Sequence, residues 1–442
     1  MGDLQDKLDE LLAEHGVPGA TAGVLLPGAE EHAYAGVTSV ENPLPVDAST
    51  VFQFGSTGKT YTATALMVLA ERGQVDLAAR VRTYVPELVL KDPSVAEQVT
   101  VLQLLNHTAG WSGDAPEDHD DGDEALARFV ASMGQLEQVT PLGATVSYNN
   151  AALSLAGRVI EKITGSTFEQ AVRDLVLTPL EMDSTHYFCH EIMTKRFSVG
   201  HQQDEDGTVR VARPWALPRA GNPAGGMTAN LADQLTWARF HLGNGDPLLS
   251  KRSLDLMKEP TADMRGGALG DYVGISWLLE DLSGKRIVKH GGSMIGQYSE
   301  FVLVPEDGFA FTVMGNCGGP LNRQLLDWAL QRYCGVAPRE DVPLQLSDAE
   351  LSPYTGRFET VAAVADVTAV DGKLIVEVAL KPGALGEMED PGAQPPIPLQ
   401  FIAPDRYIVS DGPAKGMRGY FTRASDGTVD GVHLGGRLAV RS

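Results

Sequence analysis

Cysteine is scarce in this chain: Cys189, Cys317 and Cys334 are the only three in 442 residues. Their odd number and wide separation exclude a disulfide scaffold and paired zinc-ligand spacing, so they read as reduced packing residues. Positive charge is also short. Lys and Arg total 35 against 58 Asp and Glu, a formal net charge of −23. A broad surface for nucleic acid or anionic lipid is therefore excluded, and no basic run stands out. No apolar stretch approaches the roughly 20 residues of a membrane helix. The opening Met1-Gly2-Asp3-Leu4-Gln5-Asp6-Lys7 carries no charged-then-apolar leader, so the chain reads as soluble and cytoplasmic. His186, His190 and His201 lack metal-ligand patterning and read as structural. The acidic run Asp114, Glu117, Asp118, Asp120, Asp121, Asp123, Glu124 misses a calcium-loop pattern at Glu117 and His119 when Gly122 is aligned. It reads as a solvated loop.

What is present is an ordinary globular balance, 43% hydrophobic and 21% charged, over a length that favours two domains. Leu4, Leu8, Leu11 and Leu12 recur at helical spacing until Gly16 and Pro18. Ala20–Leu26 and His32–Thr38 read as a hairpin around Pro27-Gly28. Residues 57–72 and 150–164 read as helices, the first apolar on nearly all sides and hence buried. Ser166 and Glu169 suggest a capping box for a third. After residue 270 come short strand-like runs, Gly274–Leu279, Arg286–His290, Tyr298–Val304 and Phe309–Met314, predicting an antiparallel meander closed by a helix over 321–333. Residues 338–343 read as a linker. Beyond it lie only strands, among them Lys373–Leu380, Tyr407–Val409, Gly419–Arg423 and Val432–Val440, as in a small β-barrel. The expected organisation is an α/β domain over 1–337, a linker over 338–343 and an all-β barrel over 344–442.

The sharpest chemical signal is Phe54-Gly55-Ser56-Thr57-Gly58-Lys59. Ser56 and Lys59 stand three positions apart, on one helical face. A serine hydroxyl needs a nearby base to attack at neutral pH, and a buried lysine with a lowered pKa can supply one. Tyr148 and Asn150 open the second buried helix. A tyrosine beside a lysine can share its proton and then protonate a leaving group, and Asn150 can hold Lys59 or a substrate amide. His290-Gly291-Gly292 ends a strand where glycines let a substrate lie against the edge and reach backbone N–H donors.

Together these segments resemble the serine β-lactamase and penicillin-binding-protein superfamily, nearest its class C-like, DD-peptidase and esterase branch. The resemblance runs over roughly residues 5–335. It implies a β-lactamase/transpeptidase-like domain, an antiparallel sheet flanked by helices with an all-helical subdomain. It implies Ser56 as acylated nucleophile, Lys59 as its base, and Tyr148 and Asn150 as the Tyr-x-Asn pair. His290-Gly291-Gly292 resembles the third motif, and the N–H groups of Ser56 and Ser293 would form the oxyanion hole. Leu104–Gly110 and Pro223-Ala224-Gly225-Gly226-Met227 resemble accessory segments, placing His107 and Gly226 beside the site. His290 departs from the lysine of many β-lactamases, which favours peptide, amide or ester substrates over β-lactams. Leu351–Phe358 resembles the opening of the lipocalin-like domain appended to some relatives, including D-aminopeptidases and peptide-cyclising thioesterases.

The implied function is ester or amide hydrolysis through a Ser56 acyl-enzyme, with no metal or organic cofactor and a small-molecule or peptide acyl substrate. The alternatives are a transacylase or peptide-releasing thioesterase, a D-amino-acid peptidase, a weak β-lactamase, and a non-catalytic binding protein. A 1–337 fragment is expected to keep Ser56 reactive, and Phe401, Tyr407 or Tyr420 are expected to face the substrate.

Overall fold

The computed structural model describes residues 2–114, 121–204, 206–381 and 395–442. Glu117, Asp118 and Asp120 of the acidic run lie outside them. Helix α1 (Asp3–His15) buries Leu4, Leu8 and Leu11 and ends at Gly16, whose φ of 63° supplies the left-handed cap. Strands β1 (Gly19–Leu26) and β2 (Ala29–Gly36) form the expected hairpin. Helix α2 (Lys59–Glu71) buries every residue from Lys59 to Leu69. Helix α3 (Asn150–Thr164) is capped by the Asn149 side chain, which accepts from Ala152 N–H at 2.8 Å.

Helix α4 (Leu231–Leu242) leads to six further strands: β3 (Ala262–Gly267), β4 (Gly270–Val273), β5 (Leu278–Leu282), β6 (Lys285–Met294), β7 (Gln297–Val304) and β8 (Phe309–Gly315). The eight strands make one antiparallel sheet in the order β2-β1-β8-β7-β6-β5-β4-β3. Helix α5 (Leu321–Cys334) joins α1 on one face over Ile287, Val302, Phe311 and Val313. The other face carries Phe301, Leu303 and Met314 into the core that holds α2 and α3.

A separate barrel follows. Strands β9 (Gly356–Glu359), β10 (Ala363–Val370), β11 (Lys373–Leu380), β12 (Ile397–Ala403), β13 (Arg406–Val409), β14 (Arg418–Arg423), β15 (Val429–Leu434) and β16 (Arg437–Arg441) pair in sequence order. β9 closes on β16. Closure leaves no unpaired barrel edge. Residues 338–343 carry no helix or strand. Arg339 ties them to Asp271 of β4 at 2.8 Å, and Asp341 accepts from Arg418 of β14 at 2.6 Å.

Four expectations are corrected. The run Val432–Val440 is two strands, because Gly435 and Gly436, at φ of 53° and 88°, turn the chain between β15 and β16. Gly274–Leu279 is broken by a turn in which Gly274 N–H donates to Trp277 O at 2.7 Å and Ser276 takes a φ of 58°. The short helix expected at Ser166 runs over Phe168–Val172 and its cap is Thr167, accepting from Gln170 N–H, while Glu169 binds Arg219 and Asn222. Cys189 is exposed and does not pack in the core; Cys317 and Cys334 are buried. Among the described residues no helix is long and apolar enough to cross a membrane.

Candidate active site

Ser56 sits in the short 3₁₀ turn Gly55–Gly58 that leads into α2. Two glycines let the backbone of this turn press against the end of β6. A side chain on Gly55, whose φ is 54°, would come within 2.7 Å of Ser293 N, and one on Gly292 would lie 2.0 Å from Phe54 O and 2.8 Å from Ser56 N. The sheet leaves this place open, since β5 pairs with β6 only as far as Lys289. Met294 and Gln297 close the β6–β7 hairpin, so alternation makes Ser293 and Tyr298 a non-hydrogen-bonded pair and points the Ser293 N–H away from β7. Ser56 N–H, at the start of its turn, has no partner within the turn. Two backbone donors thus lie on abutting segments beside the Ser56 hydroxyl.

Lys59 is fully buried, its Nζ 3.1 Å from Ser56 Oγ and 2.5 Å from Ala224 O. Burial first, then the charge of Arg437, hold its pKa well below the ordinary lysine range, against the opposing pull of Asp114. A neutral amine donates one hydrogen to Ala224 O and keeps its lone pair for the Ser56 proton. Tyr148 is buried with its ring 4.8 Å from Lys59 Nζ. Burial pushes its phenol well up, more than its hydrogen bond to Ser56 lowers it. Burial thus moves the two groups in opposite senses, favouring the protonated phenol of Tyr148 and the neutral amine of Lys59.

His290 is buried and its carbonyl accepts from Thr57 Oγ1 at 3.0 Å. Burial, then the proximity of Lys59, brings its pKa down to about 3. The ring is neutral, with Nδ1–H donating to Gly291 O at 2.6 Å. Nε2 is thereby left as a buried acceptor without a partner among the described residues. His107 packs its ring 4.5 Å from that of Tyr148, and its Nδ1 accepts from Asn149 N–H at 3.1 Å.

Ser56, Tyr148, Asn150, Gly226, His290, Gly291, Gly292 and Ser293 line one cleft of about 2080 Å³. Two contacts refine the picture. Asn150 donates to Asp114 Oδ1 at 2.8 Å, and Lys59 is held by Ala224 O in its place. Gly225, not Gly226, abuts the Ser56 turn: a side chain on it would meet Ser56 N at 2.9 Å, whereas one on Gly226 would meet Asn222.

The barrel adds residues the sequence did not reveal. Its β15–β16 turn reaches the start of α3, where Gly436 O accepts from Tyr148 N–H at 2.9 Å and His433 Nε2 donates to Val146 O at 3.0 Å. Arg437 then binds Asp114 through two bonds of 2.6 and 3.1 Å, with its guanidinium 5.2 Å from the Tyr148 ring centre. Among the described residues, Gly435, Arg437, Val361 and Ala362 are the barrel's contributions to the cleft wall. Phe401 and Tyr407 are instead buried in the barrel core, and Tyr420 stacks on His433. No motif flags Arg437, since it lies 323 positions from Asp114. The only available signal was the Gly435-Gly436 turn inside an apparently continuous strand.

Among the described residues no three His, Cys, Asp or Glu gather as a metal site. The Beta-lactamase family model matches residues 4–333. "Penicillin-binding protein 4" of Amycolatopsis lactamdurans is 32% identical over 371 residues, covering 80% of this chain and 96% of its own. The solved structure of SurE superposes with a TM-score of 0.79 at 23% identity, over 99% of this chain and 98% of that one, barrel included. D-amino acid amidase from Ochrobactrum anthropi SV3 superposes at 0.62 and 22% identity, over 74% of this chain and 96% of its own. With the family model matching three quarters of its length, the chain belongs to the β-lactamase and penicillin-binding-protein family of serine hydrolases.

Proposed function

We propose that the protein hydrolyses esters or amides through an acyl-enzyme on Ser56. The observation that carries this is Lys59 Nζ at 3.1 Å from Ser56 Oγ, in a burial that lowers the pKa of the amine well below the ordinary lysine range. Ser56 Oγ attacks the carbonyl carbon as its proton passes to Lys59 Nζ. Negative charge on the carbonyl oxygen falls to the Ser56 and Ser293 N–H groups. Collapse breaks the bond to the leaving group, which takes a proton from the Tyr148 hydroxyl, and Lys59 re-supplies Tyr148. Water then attacks the ester by the same steps in reverse.

His290 shapes the substrate class. Its Nε2 accepts a hydrogen bond and carries no charge, so it favours an amide or hydroxyl donor over the carboxylate of a β-lactam. A second reading, transfer of the acyl group to an amine, as in a transacylase or a peptide-cyclising thioesterase, is supported by the size of the cleft. Its roughly 2080 Å³ exceeds the usual 300–1,000 Å³ of a small-molecule site and admits a peptide. We further propose that residues 1–337 carry the serine chemistry, with 344–442 as a second domain that completes the cleft.

The test is a panel of p-nitrophenyl esters, D- and L-amino-acid amides, peptidyl thioesters and nitrocefin, each with and without an added amine. D-amino-acid amides belong in it because solved relatives of this fold hold D-leucine and D-phenylalanine. Turnover of esters or amides well above nitrocefin supports the reading. Turnover of nitrocefin alone contradicts it.

A further inference from the structure

The cleft does not end at Ser56. Beyond Lys289, β6 has lost β5 as a neighbour, and the cavity continues around that uncovered edge. Strand alternation puts His290 on the α2 side and Gly291 on the α5 side. The wall on the α5 side is made by Lys289, Glu300, Arg323 and Leu326, with Val361 and Ala362 of the barrel.

Glu300 faces Gly291 across the β6–β7 pairing, and its Oε2 lies 3.0 Å from where a Gly291 Cβ would be. The missing side chain leaves this carboxylate lying over the strand edge. It is one residue from Gly292, which abuts the Ser56 N–H.

The charges around it are already spoken for. Lys289 pairs with Glu280, Arg323 with Asp327 at 3.0 Å, and Arg418 with Asp341 at 2.6 Å. Among the described residues Glu300 has no hydrogen bond or ion pair to its side chain; burial pushes its carboxyl pKa up, against the longer-range fields of Lys289 and Arg323 and with that of Asp327, so a ligand cation beside it would favour the ionised form. Each of these cations thus has another carboxylate, and Glu300, which has no paired cation among the described residues, lines the cleft. Desolvating an ionised carboxylate without a partner is costly, and a cation delivered by a ligand removes that cost. A metal ion does not fit this place, because no further acidic, histidine or cysteine ligands complete a site among the described residues. Leu326, Val361 and Ala362 supply apolar wall for an alkyl stem.

We propose that Glu300 binds a primary ammonium group of the substrate on the α5 side of the β6 edge, apart from the carbonyl under attack. This site deepens the acyl-transfer reading and rests on it only for what the bound molecule then undergoes. The ammonium can belong to the acyl group or to the leaving group, and the test separates the two.

Binding is measured by calorimetry on the full chain carrying Ser56→Ala, which removes turnover. The acyl-side pair is leucinamide and N-acetylleucinamide, in both enantiomers. The leaving-side pair is N-acetylleucine coupled to 1,3-diaminopropane and the same compound acetylated at its free amine. We expect the ammonium member of one pair to bind at least tenfold more tightly than its acetylated partner. Adding Glu300→Gln should erase that preference and Glu300→Asp should keep part of it, with melting temperatures reporting that both variants fold. Equal binding within both pairs overturns the proposal, as does a preference that survives Glu300→Gln. Tighter binding of free leucine than of leucinamide, through its carboxylate, also overturns it and gives the pocket to Lys289 and Arg323. Fluorophosphonate labelling of the wild-type chain is scored separately. Its failure contradicts the Ser56 reading and leaves the binding result to judge Glu300.

Discussion

Arg437 reaches the candidate site from the barrel, and its charge should set the pH at which the enzyme switches on. Its guanidinium lies 5.2 Å from the Tyr148 ring centre and Lys59 Nζ 4.8 Å from the same point, so the two are at most about 10 Å apart. At an effective dielectric constant near 20, two like charges at that distance repel by about 1.7 kcal/mol, roughly one pKa unit. A neighbouring cation penalises protonated Lys59. Arg437→Gln therefore raises the Lys59 pKa, and Asp114, freed of its counter-ion, raises it further. Below that pKa less of the enzyme holds the neutral base. The acidic limb of kcat/KM for a p-nitrophenyl ester should move up by about one pH unit, while the high-pH plateau changes little. Arg437→Lys, which keeps the charge, should hold the limb near its original place. His290, at about 3, and His107, also pushed well down, titrate too low to imitate this shift. Melting temperatures check that the variants fold. A limb that stays within about 0.3 units in Arg437→Gln would refute the electrostatic reasoning.

Three further outcomes follow from the same geometry. Lys59→Ala should lower kcat by about 10³-fold or more, because removing one member of a coupled nucleophile unit disables the whole; a loss under about tenfold in single-turnover kinetics would require another base. Nitrocefin should turn over with kcat/KM below about 10⁵ M⁻¹s⁻¹, since neutral His290 offers its carboxylate no cation, and a steady-state value above that figure contradicts the His290 reading. A 1–337 fragment loses Arg437 and the bonds from Gly436 and His433 to the start of α3. Folded by circular dichroism, it should still label with fluorophosphonate at Ser56, but at least about tenfold more slowly than the full chain; labelling at the full rate would reduce the barrel to a bystander.

Where periodicity and local chemistry agree, the sequence was legible. The all-apolar pattern of α2 and the short β-rich runs of β6 to β8, set off by Gly, Pro and Asp, each carry their own signal. So does the spacing of Ser56 and Lys59, because one helical turn is a local distance. What was hidden depends on contacts between distant residues. Arg437 meets Asp114 only when a barrel hairpin folds back on the first helix-rich half. The Gly435-Gly436 turn that makes this possible is masked by apolar residues on both sides. Asn150 illustrates the same limit, since its position was legible but its partner, Asp114, was not. The barrel's aromatic residues misled for the converse reason. Phe401 and Tyr407 are large and apolar enough to line a cleft, yet barrel closure claims them for its own core.

The central claim is that Ser56 is the nucleophile. Intact-mass spectrometry of the full-length protein after treatment with a fluorophosphonate tests it most directly. The account predicts one adduct per chain, mapped by peptide sequencing to Ser56, and none on a folded Ser56→Ala variant. An unmodified wild-type chain, or an adduct that persists in Ser56→Ala, would contradict it.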